Sequence, residues 1–334
     1  MAVDHAGRTV GISLNNATLI TIYGGSGFIG RHVVRALAKT GARMRIAVRQ
    51  PHLAGHLQPL GGVGQISPVQ ANVRFPDSLI AAAKGADAVI NLVGILAPSG
   101  QQTFEAVQDV GARHVAEAAR AARAKVLVHM SAIGADAESP STYARTKAQG
   151  EAAVREIYPG AVILRPSVVF GPEDEFFNRF AAMARIAPAL PLIGGGKTKF
   201  QPVFAGDVAK AVIAALSGKA QAGAVYELGG PEVLSMKEVI QRVLSYTMRK
   251  RMLVTLPFPV AKLQGVVLQL LPNPLLTLDQ VRLLERDNVV SEVAKREQRT
   301  LEGLGIDEPV AVEAVVPDYL EQYRPKGQFS RYQP

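Results

Sequence analysis

The sequence predicts an α/β protein with a Rossmann-type, doubly wound parallel sheet and a smaller, mainly helical C-terminal domain. A short apolar segment runs directly into a glycine-rich turn and then into a helix-spaced apolar pattern over residues 18–37, which is the context of a dinucleotide-binding turn. Short apolar strands then alternate with helical segments as far as Gly171, a rhythm typical of parallel sheets wound with helices. Beyond that residue the rhythm loosens, which indicates a second domain.

Composition narrows the class of protein. The chain has 334 residues, no cysteine and a net charge of +9, so disulfides and thiolate metal sites are excluded and an acidic partner is expected. No apolar run reaches the roughly 18 residues that span a bilayer, and the first residues lack the apolar core of a secretion signal. The basic residues are not interleaved with aromatic ones, so we expect no nucleic acid partner. His52 and His56 have no carboxylate at usable spacing, so we expect no metal.

The first strand and its turn carry the clearest functional pattern. After a buried strand ending at Tyr23, Gly24 permits the tight turn, Gly27 lets the backbone approach a diphosphate, and Gly30 lets the following helix pack close to the strand. The diphosphate would lie at the helix N-terminus, where free N–H groups favour an anion. A tight turn that holds no ligand is the alternative. The remaining residues of this predicted cofactor loop are Phe28, Ile29 and Arg31.

The further elements follow in order, each predicted from apolar runs bounded by turn residues. We expect strands at Met44–Val48, Ile66–Ala71, Ala88–Val93, Val126–Met130 and Ala161–Arg165, and helices from Asp77, over Phe104–Ala122 and over Tyr143–Ile157. In the second half we expect helices at Phe176–Ile186 and Asp207–Leu216, a glycine loop at Ile193–Lys197 and a returning strand at Val225–Leu228. The predicted domains are a dinucleotide-binding Rossmann domain over 18–171 with 202–230 returning to it, a smaller domain over 172–201 and 231–325, and extensions at 1–17 and 326–334.

Arg49, directly after the second predicted strand, bears on the choice of cofactor. An acidic residue at this place binds the ribose 2′-hydroxyl of NAD, whereas an arginine accommodates the 2′-phosphate of NADP. Arg31, just after the glycine turn, is placed to help. We therefore expect NADP or NADPH. The alternative is that both arginines are solvated surface residues, which is common.

A tyrosine and a lysine four residues apart form the second chemical motif. Tyr143 and Lys147 share one face of a predicted helix. A nearby ammonium stabilises a phenolate and lowers the pKa of a tyrosine. Such a tyrosine can exchange a proton with a substrate oxygen while a hydride moves to or from a nicotinamide. Alone, the pair is more often a solvated helix face, so its meaning depends on the rest of the chain.

The glycine motif, the segment over residues 91–94 (Asn-Leu-Val-Gly) and the Tyr143/Lys147 pair together resemble the extended short-chain dehydrogenase/reductase superfamily, over roughly residues 18–230. The resemblance implies that Tyr143 is the catalytic tyrosine and that Lys147 holds the nicotinamide ribose hydroxyls. It also implies that Asn72 and Val73 lie at the adenine, where the family usually has an aspartate. The other cofactor-binding residues that it implies are Val93, Gly94, Ser131, Pro166 and Val168.

Two departures from that superfamily concern the reaction rather than the cofactor. The superfamily's catalytic serine or threonine typically lies two residues past the first of a serine pair, and on that alignment Ile133 occupies the place. An isoleucine can neither donate a hydrogen bond to a carbonyl nor orient one, and Ser131 would serve only in a shifted register. Near Asp109 there is no asparagine of the kind that supports the proton relay. The resemblance therefore implies an intact cofactor site with incomplete reaction residues, and no independent turnover is expected.

Three segments of the second half resemble one atypical branch, the nucleotide-binding accessory subunit of respiratory complex I (NADH:ubiquinone oxidoreductase). They are residues 170–178, 199–209 and 275–284. This resemblance implies a redox-inactive subunit of the electron-transport chain that holds NADPH, contacts other complex I subunits and stabilises the assembly near the quinone/membrane junction. The alternatives are an active NADP-dependent reductase or epimerase and a nucleotide-sensing regulator. We expect a peripheral protein on the cytoplasmic side of a bacterial inner membrane, with the mitochondrial matrix side as the alternative.

A long stretch without acidic residues extends from Val239 to Leu278. Its apolar segment, Phe258 to Leu271, is too short to span a membrane. Basic residues beside an apolar helix suit an anionic membrane surface or a hydrophobic partner. The alternative is an ordinary helix packed on its own core. The basic residues of the stretch are Arg242, Arg249, Lys250, Arg251 and Lys262.

Overall fold

The computed structural model describes residues 9–269, 276–327 and 329. The chain divides into two compact units, each built from three separate segments. The first unit comprises Met1–Pro166, Ala205–Leu228 and Ser291–Asp307, and the second comprises Ser167–Phe204, Gly229–Val290 and Glu308–Pro334. The first part of the predicted N-terminal extension and most of the C-terminal one lie outside the described residues. So do residues 270–275, which include the end of the predicted apolar segment and the first residue of the segment 275–284.

The described chain alternates strands and helices in its first half and mixes them less regularly in its second. In chain order the strands are β1 (Thr9–Gly11), β2 (Leu19–Tyr23), β3 (Arg43–Val48), β4 (Ile66–Gln70), β5 (Ala88–Asn91), β6 (Val126–Met130), β7 (Val162–Pro166), β8 (Val169–Phe170), β9 (Ala189–Ile193), β10 (Lys199–Phe200), β11 (Val203–Phe204), β12 (Ser217–Gln221), β13 (Val225–Leu228), β14 (Leu234–Ser235) and β15 (Met252–Leu256). The α-helices are α1 (Phe28–Ala38), α2 (Pro76–Ala83), α3 (Val110–Ala121), α4 (Thr142–Ile157), α5 (Phe177–Ile186), α6 (Ala205–Leu216), α7 (Met236–Tyr246), α8 (Phe258–Leu268), α9 (Leu278–Leu283), α10 (Glu292–Arg296) and α11 (Val316–Tyr319). Short 3₁₀ helices occur at Pro51–Leu60, Gly194–Gly196, Glu302–Leu304, Val312–Ala314 and Leu320–Tyr323, and a π-helical segment at Glu105–Asp109.

A seven-stranded parallel sheet forms the centre of the first unit, in the order β13-β7-β6-β5-β2-β3-β4. Every neighbouring pair of strands runs parallel. Ile22 pairs with Ile46 on one side and with Ile90 on the other, and all three side chains are fully buried, as expected for a sheet covered on both faces. The order reverses at β2, with β3 and β4 on one side of it and the other strands on the opposite side. This is the doubly wound arrangement, so the predicted fold class is confirmed.

Helices cover this sheet because their inward sides carry small or branched apolar residues. α1 packs against α6, while α3 packs against both α2 and α4. On α3 the buried residues include Ala112, Ala116 and Ala119, whose short side chains permit close packing. Val89 and Leu127 of the sheet belong to the same apolar cluster as these alanines. The alanine-rich pattern of the sequence is therefore a core pattern.

The second unit has an aromatic core beneath α5 and α7. The ring centroids of Phe170 and Phe177 lie 6.0 Å apart, and those of Phe176 and Phe177 lie 5.4 Å apart, both nearly edge to face. The buried Asp174 carboxylate holds the turn before α5. It accepts hydrogen bonds from the backbone N–H groups of Phe176 and Asn178 and from the Tyr319 hydroxyl. This carboxylate therefore ties the C-terminal segment to the start of the second unit.

Several elements differ from the sequence prediction. Strands β9 and β15 pair in parallel as a two-stranded sheet that the apolar pattern did not reveal. Pro191 interrupts the pattern of β9, and proline is tolerated there because the strand lies at a sheet edge. The helix predicted from Phe104 begins with a π-helical segment before α3. At the start of the described chain, β1 pairs antiparallel with β12, and neither strand was predicted.

Residues 291–307 cluster with the first unit, whereas the sequence prediction placed them in the smaller domain. The Glu227 carboxylate on β13 accepts a hydrogen bond from Ser291 N at 2.7 Å. Glu227 N donates to the carbonyl of Arg299 at 2.9 Å. These bonds attach the segment to the edge strand of the sheet.

The described residues contain no helix of the length and apolar character that a membrane crossing requires. Over the same parts of the chain, no three acidic or histidine side chains are grouped so that they could hold a metal ion.

Candidate dinucleotide-binding site

The three glycines of the turn between β2 and α1 have different physical reasons to be glycine. Gly24 has φ +79°, a conformation that side chains disfavour, and its N–H donates to Ala47 O at 3.1 Å. A Cβ on Gly30 would lie 2.5 Å from Gly25 O, so close packing excludes a side chain. Gly27 has an ordinary φ of −72°, and a Cβ there would meet only Gly24 O, at 3.3 Å. The chain itself therefore requires Gly24 and Gly30, whereas the absent side chain at Gly27 leaves space for a ligand.

The space at Gly27 is suited to a diphosphate. Gly27 is the N-cap of α1 and supplies no side-chain cap, so the first N–H groups of the helix lack a capping side chain. No acidic residue lies in the first turn. The side chains of Phe28 and Ile29 in that turn are half-buried, and the ring of Phe28 packs edge to face on His32 at 5.8 Å. Free N–H groups and the helix dipole both favour an anion at this position.

The two arginines of the predicted NADP contact lie near this loop. Arg31, in the first turns of α1, donates from Nε to Ser26 O at 3.2 Å. Arg49 follows β3 directly and is exposed. The hydrogen bond from Gly24 N to Ala47 O joins the end of β3 to the glycine turn. Arg49 lies two residues after Ala47 and is therefore close to this turn. The sequence has no Asp or Glu between Asp4 and Asp77, which leaves the charge of this region positive.

The residues predicted at the adenine are partly engaged with their own turn. Asn72 Oδ1 accepts a hydrogen bond from Arg74 N at 3.1 Å, and Asn72 N donates to Ser78 Oγ at 3.0 Å. Val73 is buried, and its carbonyl lies 2.8 Å from His114 Nδ1. The side-chain amide nitrogen of Asn72 therefore remains for a ligand, consistent with a weaker contact than the usual aspartate would make.

At the other end of the site, Tyr143 and Lys147 face each other on α4. Ser141 is the N-cap of this helix, and its Oγ accepts a hydrogen bond from Ala144 N at 3.3 Å. Lys147 Nζ lies 6.0 Å from the centre of the Tyr143 ring and donates to Met130 O at 3.2 Å. The Tyr143 ring also packs edge to face on Phe104, at 5.8 Å. The structure thus brings the two motif residues together at the end of β6.

Short distances connect this pair to the glycine turn. A Cβ on Gly94 would lie 3.3 Å from Lys147 Nζ, and a Cβ on Gly24 would lie 3.2 Å from Val93 Cγ2. The glycine turn, the Val93–Gly94 turn after β5 and Lys147 are therefore neighbours in that order. An extended ligand lying along the carboxyl ends of β2, β5 and β6 would pass all three, and this edge of the sheet is where ligands of such folds bind.

The residues predicted nearest the nicotinamide are placed as follows. Ser131 is only 3 % exposed, and its Oγ has no hydrogen-bond partner among the described residues. A buried hydroxyl without a partner is costly, so this atom is consistent with a bound ligand or water. Ile133 is buried, and its N–H donates to Pro166 O at 3.0 Å. Pro166 ends the first segment of the first unit, and Val168 belongs to the second unit.

A buried polar layer lies beneath this edge of the sheet. Burial lowers the pKa of Lys147 to about 8, although the nearby Glu151 carboxylate raises it. Glu151 accepts two hydrogen bonds of 2.7 Å from Arg165, one on each oxygen. Asn91 Nδ2 lies 3.1 Å from His129 Nδ1, and Asn91 Oδ1 accepts from Val93 N at 3.1 Å.

Sequence reasoning missed most of this layer. Glu151 follows Lys147 by one helical turn, so the spacing would have revealed it. Arg165 and the Asn91–His129 pair join distant parts of the chain and leave no local pattern. Gln108 was missed for the same reason, although its Oε1 accepts from Thr146 Oγ1 at 3.0 Å. Glu151, His129 and Gln108 are all buried.

Comparisons with known proteins agree on the fold and on one group of relatives. The model of the NAD dependent epimerase/dehydratase family matches residues 20–229. The chain is 35 % identical over 310 residues to the mitochondrial NADH dehydrogenase (ubiquinone) 1 alpha subcomplex subunit 9 of Arabidopsis thaliana, covering 89 % of this chain and 77 % of that protein.

Two further comparisons give a relative of half of the chain and a solved structure with a similar fold. Over 176 residues the chain is 38 % identical to a ceramide reductase of Caulobacter vibrioides, which covers 52 % of this chain and 54 % of that protein. A dTDP-glucose 4,6-dehydratase of Streptomyces venezuelae, solved with NAD bound, has a similar fold with a TM-score of 0.69 at 18 % identity, covering 95 % of this chain and 99 % of that one. At that identity the likeness shows the fold alone.

Proposed function

This chain belongs to the NAD dependent epimerase/dehydratase family, and from that premise we propose that it is a nucleotide-binding accessory subunit of respiratory complex I. It is redox-inactive itself and stabilises the assembly near the quinone/membrane junction. The observation that carries the proposal is the 35 % identity to subunit 9 of the ubiquinone-reducing NADH dehydrogenase, across 89 % of this chain. The site supports it, because the diphosphate cradle at Gly27 is intact while Ile133 replaces a hydroxyl of the superfamily. A ligand that binds only the folded state stabilises that state, which is the role of the nucleotide here.

Affinity purification of the tagged chain from its own membranes tests this assignment. We expect NADH:quinone reductase activity and other complex I subunits to copurify with it. Recovery of the chain alone, with its nucleotide still bound, would contradict the assignment. The retained nucleotide is the control that the subunit stayed folded.

We propose NADPH or NADP as the nucleotide. Arg49 is exposed after β3, and the Arg31 guanidinium is held at the glycine turn through Ser26 O. The absence of any acidic residue between Asp4 and Asp77 supports the same choice, because a 2′-phosphate would meet positive charge without a carboxylate to repel it. Mass analysis of the nucleotide extracted from the native protein tests this, and NAD as the main species would overturn it.

We also propose that part of the second unit faces an anionic membrane surface. Of the basic residues in the acid-free stretch, Arg242 and Lys262 form ion pairs of 2.6 and 2.7 Å with Glu232 and Glu285. Lys250 is exposed and makes no ion pair among the described residues. The stretch therefore carries more positive charge than its ion pairs neutralise, and this net positive charge suits anionic lipid.

The apolar part of that surface lies on α8. One side of α8 packs inward, since a Cβ on Gly265 would lie 2.9 Å from Leu278 N. The other side is open, with Leu263 68 % exposed and Val267 60 % exposed. One side of the helix thus packs inside the second unit while the other side exposes apolar side chains, as interfacial helices do. We place the protein as peripheral on the cytoplasmic side of a bacterial inner membrane, and its relative from Arabidopsis thaliana is mitochondrial.

A second candidate function is a NADP-dependent reductase or epimerase. The 6.0 Å approach of Lys147 Nζ to the Tyr143 ring favours it, and so does the 38 % identity to a ceramide reductase over half of the chain. In that role Tyr143 would give its proton to a substrate oxygen, and Lys147 would hold the nicotinamide ribose and favour the phenolate. The nicotinamide would supply or accept the hydride.

Assay of the purified chain with NADPH and a keto-lipid separates the two candidates. A reductase should lose at least about a hundredfold in rate on Tyr143→Phe, since the proton donor is removed. Tyr323→Phe, in the second unit, is the matched control. An accessory subunit should show no NADPH oxidation with either protein, so a rate that depends on Tyr143 would favour the second candidate.

A further inference from the structure

Beneath the candidate site, four charged side chains alternate in sign across three elements. Lys147 and Glu151 lie one turn apart on α4, Arg165 lies on β7, and Glu227 lies beside Arg165 in register on β13. Arg165 Nε and Nη2 each lie 2.7 Å from one oxygen of Glu151. Arg165 also interacts electrostatically with Glu227. The charges run positive, negative, positive, negative from the site to the edge of the sheet.

We propose that Glu151 is a positioning residue that keeps the Lys147 ammonium charged beneath the nucleotide site, and that Arg165 limits how much of the Glu151 charge acts on Lys147. This inference rests on the proposed nucleotide-binding function, in which Lys147 is a cofactor ligand.

The first half of the inference follows from the burial of Lys147. The residue is only 5 % exposed, and the hydrogen bond described for its Nζ goes to a neutral carbonyl, that of Met130. A buried ammonium without a counter-charge tends to lose its proton. Glu151 is the carboxylate that acts on it, since it raises the pKa that burial lowers.

The second half follows from the way in which Glu151 is shared. Both of its oxygens are engaged by the Arg165 guanidinium, in the bidentate geometry that gives the strongest ion pairs. Arg155 is more distant, with Nη2 3.8 Å from Glu151 Oε2. Because Arg165 neutralises much of the carboxylate, Lys147 receives only part of its field. Removal of Glu151 and removal of the Arg165 charge should therefore change Lys147 in opposite directions.

The other groups around Lys147 do not supply this charge. From its own helix the Tyr143 ring faces it, and from β6 the buried His129 does. His129 would only repel the ammonium if protonated, and its pKa is lowered to about 3. On the π-helical segment packed against α4, Asp109 interacts with Arg113 and Glu105 instead.

Titration of Lys147 in the nucleotide-free full chain tests the inference directly. The ¹³Cε signal of Lys147 is followed by NMR against pH and assigned by its loss in Lys147→Arg. We expect Glu151→Gln to lower the titration midpoint by about one unit or more, and Arg165→Gln to raise it, as expected for an opposite charge at this range. Both glutamines retain hydrogen-bonding groups. Arg155→Gln is the control, for which the midpoint should move least.

NADPH affinity is then measured against pH for the same proteins. At pH 8 we expect Glu151→Gln to bind about fivefold more weakly, because a shift of one unit from a pKa of about 8 lowers the charged fraction of Lys147 from about one half to about one tenth. Unchanged midpoints, or shifts in the same direction in both variants, would overturn the inference, since a structural role alone weakens binding at every pH. If Glu151→Gln does not fold, the upward shift in Arg165→Gln decides. If the two variants shift the midpoint in opposite directions but NADPH affinity does not change, the effects of Glu151 and Arg165 on Lys147 are supported. The placement of the nucleotide on Lys147 is then contradicted.

Discussion

The fully buried His129 shows how one residue connects the fold with the site. Asn91 Oδ1 accepts a hydrogen bond from Val93 N, so the amino group of Asn91 faces His129 Nδ1. His129 Nδ1 is therefore the acceptor, and the ring proton is on Nε2, which has no partner among the described residues. Burial, and secondarily the charge of Lys147, lowers the pKa of His129 to about 3. This neutral ring fixes Asn91, and Asn91 fixes the Val93–Gly94 turn.

The lowered pKa of His129 predicts a loss of stability in mild acid. The unfolded chain takes up a proton near pH 6.5, whereas the folded chain does not until about pH 3, so stability falls as the pH decreases below about 6.5. Each pH unit in that window costs about 1.4 kcal/mol. Between pH 7.5 and 5, the native protein should lose about 2 kcal/mol more free energy of unfolding than His129→Gln. Urea denaturation at both values measures this. His56→Gln, at an exposed histidine, is the control and should behave as native.

Arg49 carries the prediction on cofactor choice. We expect Arg49→Glu to weaken NADPH retention by at least about tenfold, since a charge-assisted contact becomes a repulsion. NAD retention should change less, because NAD has no 2′-phosphate. Arg120→Glu on α3 makes the same change of charge at another exposed site, and equal losses in both variants would mean that Arg49 acts only through net charge.

At the residue scale, the sequence predicted what lies close together along the chain. Tyr143 and Lys147 were predictable because one helix turn brings them together. The contact of Asn91 with His129 and the partnership of Glu151 with Arg165 were not. They depend on the register of strands and helices that only the folded chain sets.

At the scale of elements, the glycine turn contains one glycine that the fold requires, Gly30, and one that we assign to ligand binding, Gly27. A Cβ on Gly30 would lie 2.5 Å from backbone, whereas one on Gly27 would meet only Gly24 O, at 3.3 Å. We expect Gly30→Ala to destabilise the nucleotide-free protein by roughly 1–3 kcal/mol, in the range for overpacking. Gly27→Ala should leave that stability nearly unchanged and still reduce nucleotide affinity. Thermal unfolding with and without NADPH measures both, and equal destabilisation of the nucleotide-free proteins would contradict the assignment of Gly27 to the ligand.

The elements were predictable where apolar runs are long and punctuated by glycine. The strands of the sheet in the first unit were found within a few residues, because buried parallel strands are almost continuously apolar. Strands β9 and β15 were missed because Pro191 and the open face of β15 break that pattern. The π-helical start of the helix near Gln108 was missed because a single-residue change of helical spacing leaves no compositional trace. A Cβ on Gly150 of α4 would lie 2.1 Å from Gln108 O, so this contact exists only in the tertiary structure.

At the scale of the molecule, the proposed membrane surface needs variants that spare the fold. Arg249 Nε donates to Tyr323 O, and Arg251 Nε donates to Ala184 O, both at 2.8 Å. These two arginines therefore hold the second unit together, and charge reversal there would test folding rather than attachment. Arg185 and Lys250 are exposed and make no described ion pair.

We expect Arg185→Glu/Lys250→Glu to weaken cosedimentation with vesicles of anionic phospholipid by at least about tenfold, at about 1 kcal/mol for each basic residue. Lys84→Glu/Arg120→Glu applies the same change of charge to the first unit and should bind as native. High salt should mimic the loss only partly, since the exposed apolar side of α8 is not screened. Equal binding of both double variants would mean that the basic residues of the second unit are simply solvated.

The two units are assembled from six alternating segments of one chain, so the polypeptide passes between them five times. During synthesis, therefore, neither unit is complete until a late part of the chain has been made, since the first unit extends to Asp307. When Pro166 has emerged, the glycine motif and the Tyr143/Lys147 pair are already made, but β7 still has an open edge. Its neighbour β13 follows only at Val225–Leu228, and an uncovered apolar strand invites pairing with other chains. A fragment that ends before β13 would thus contain the glycine motif and the Tyr143/Lys147 pair and still leave the edge of β7 uncovered.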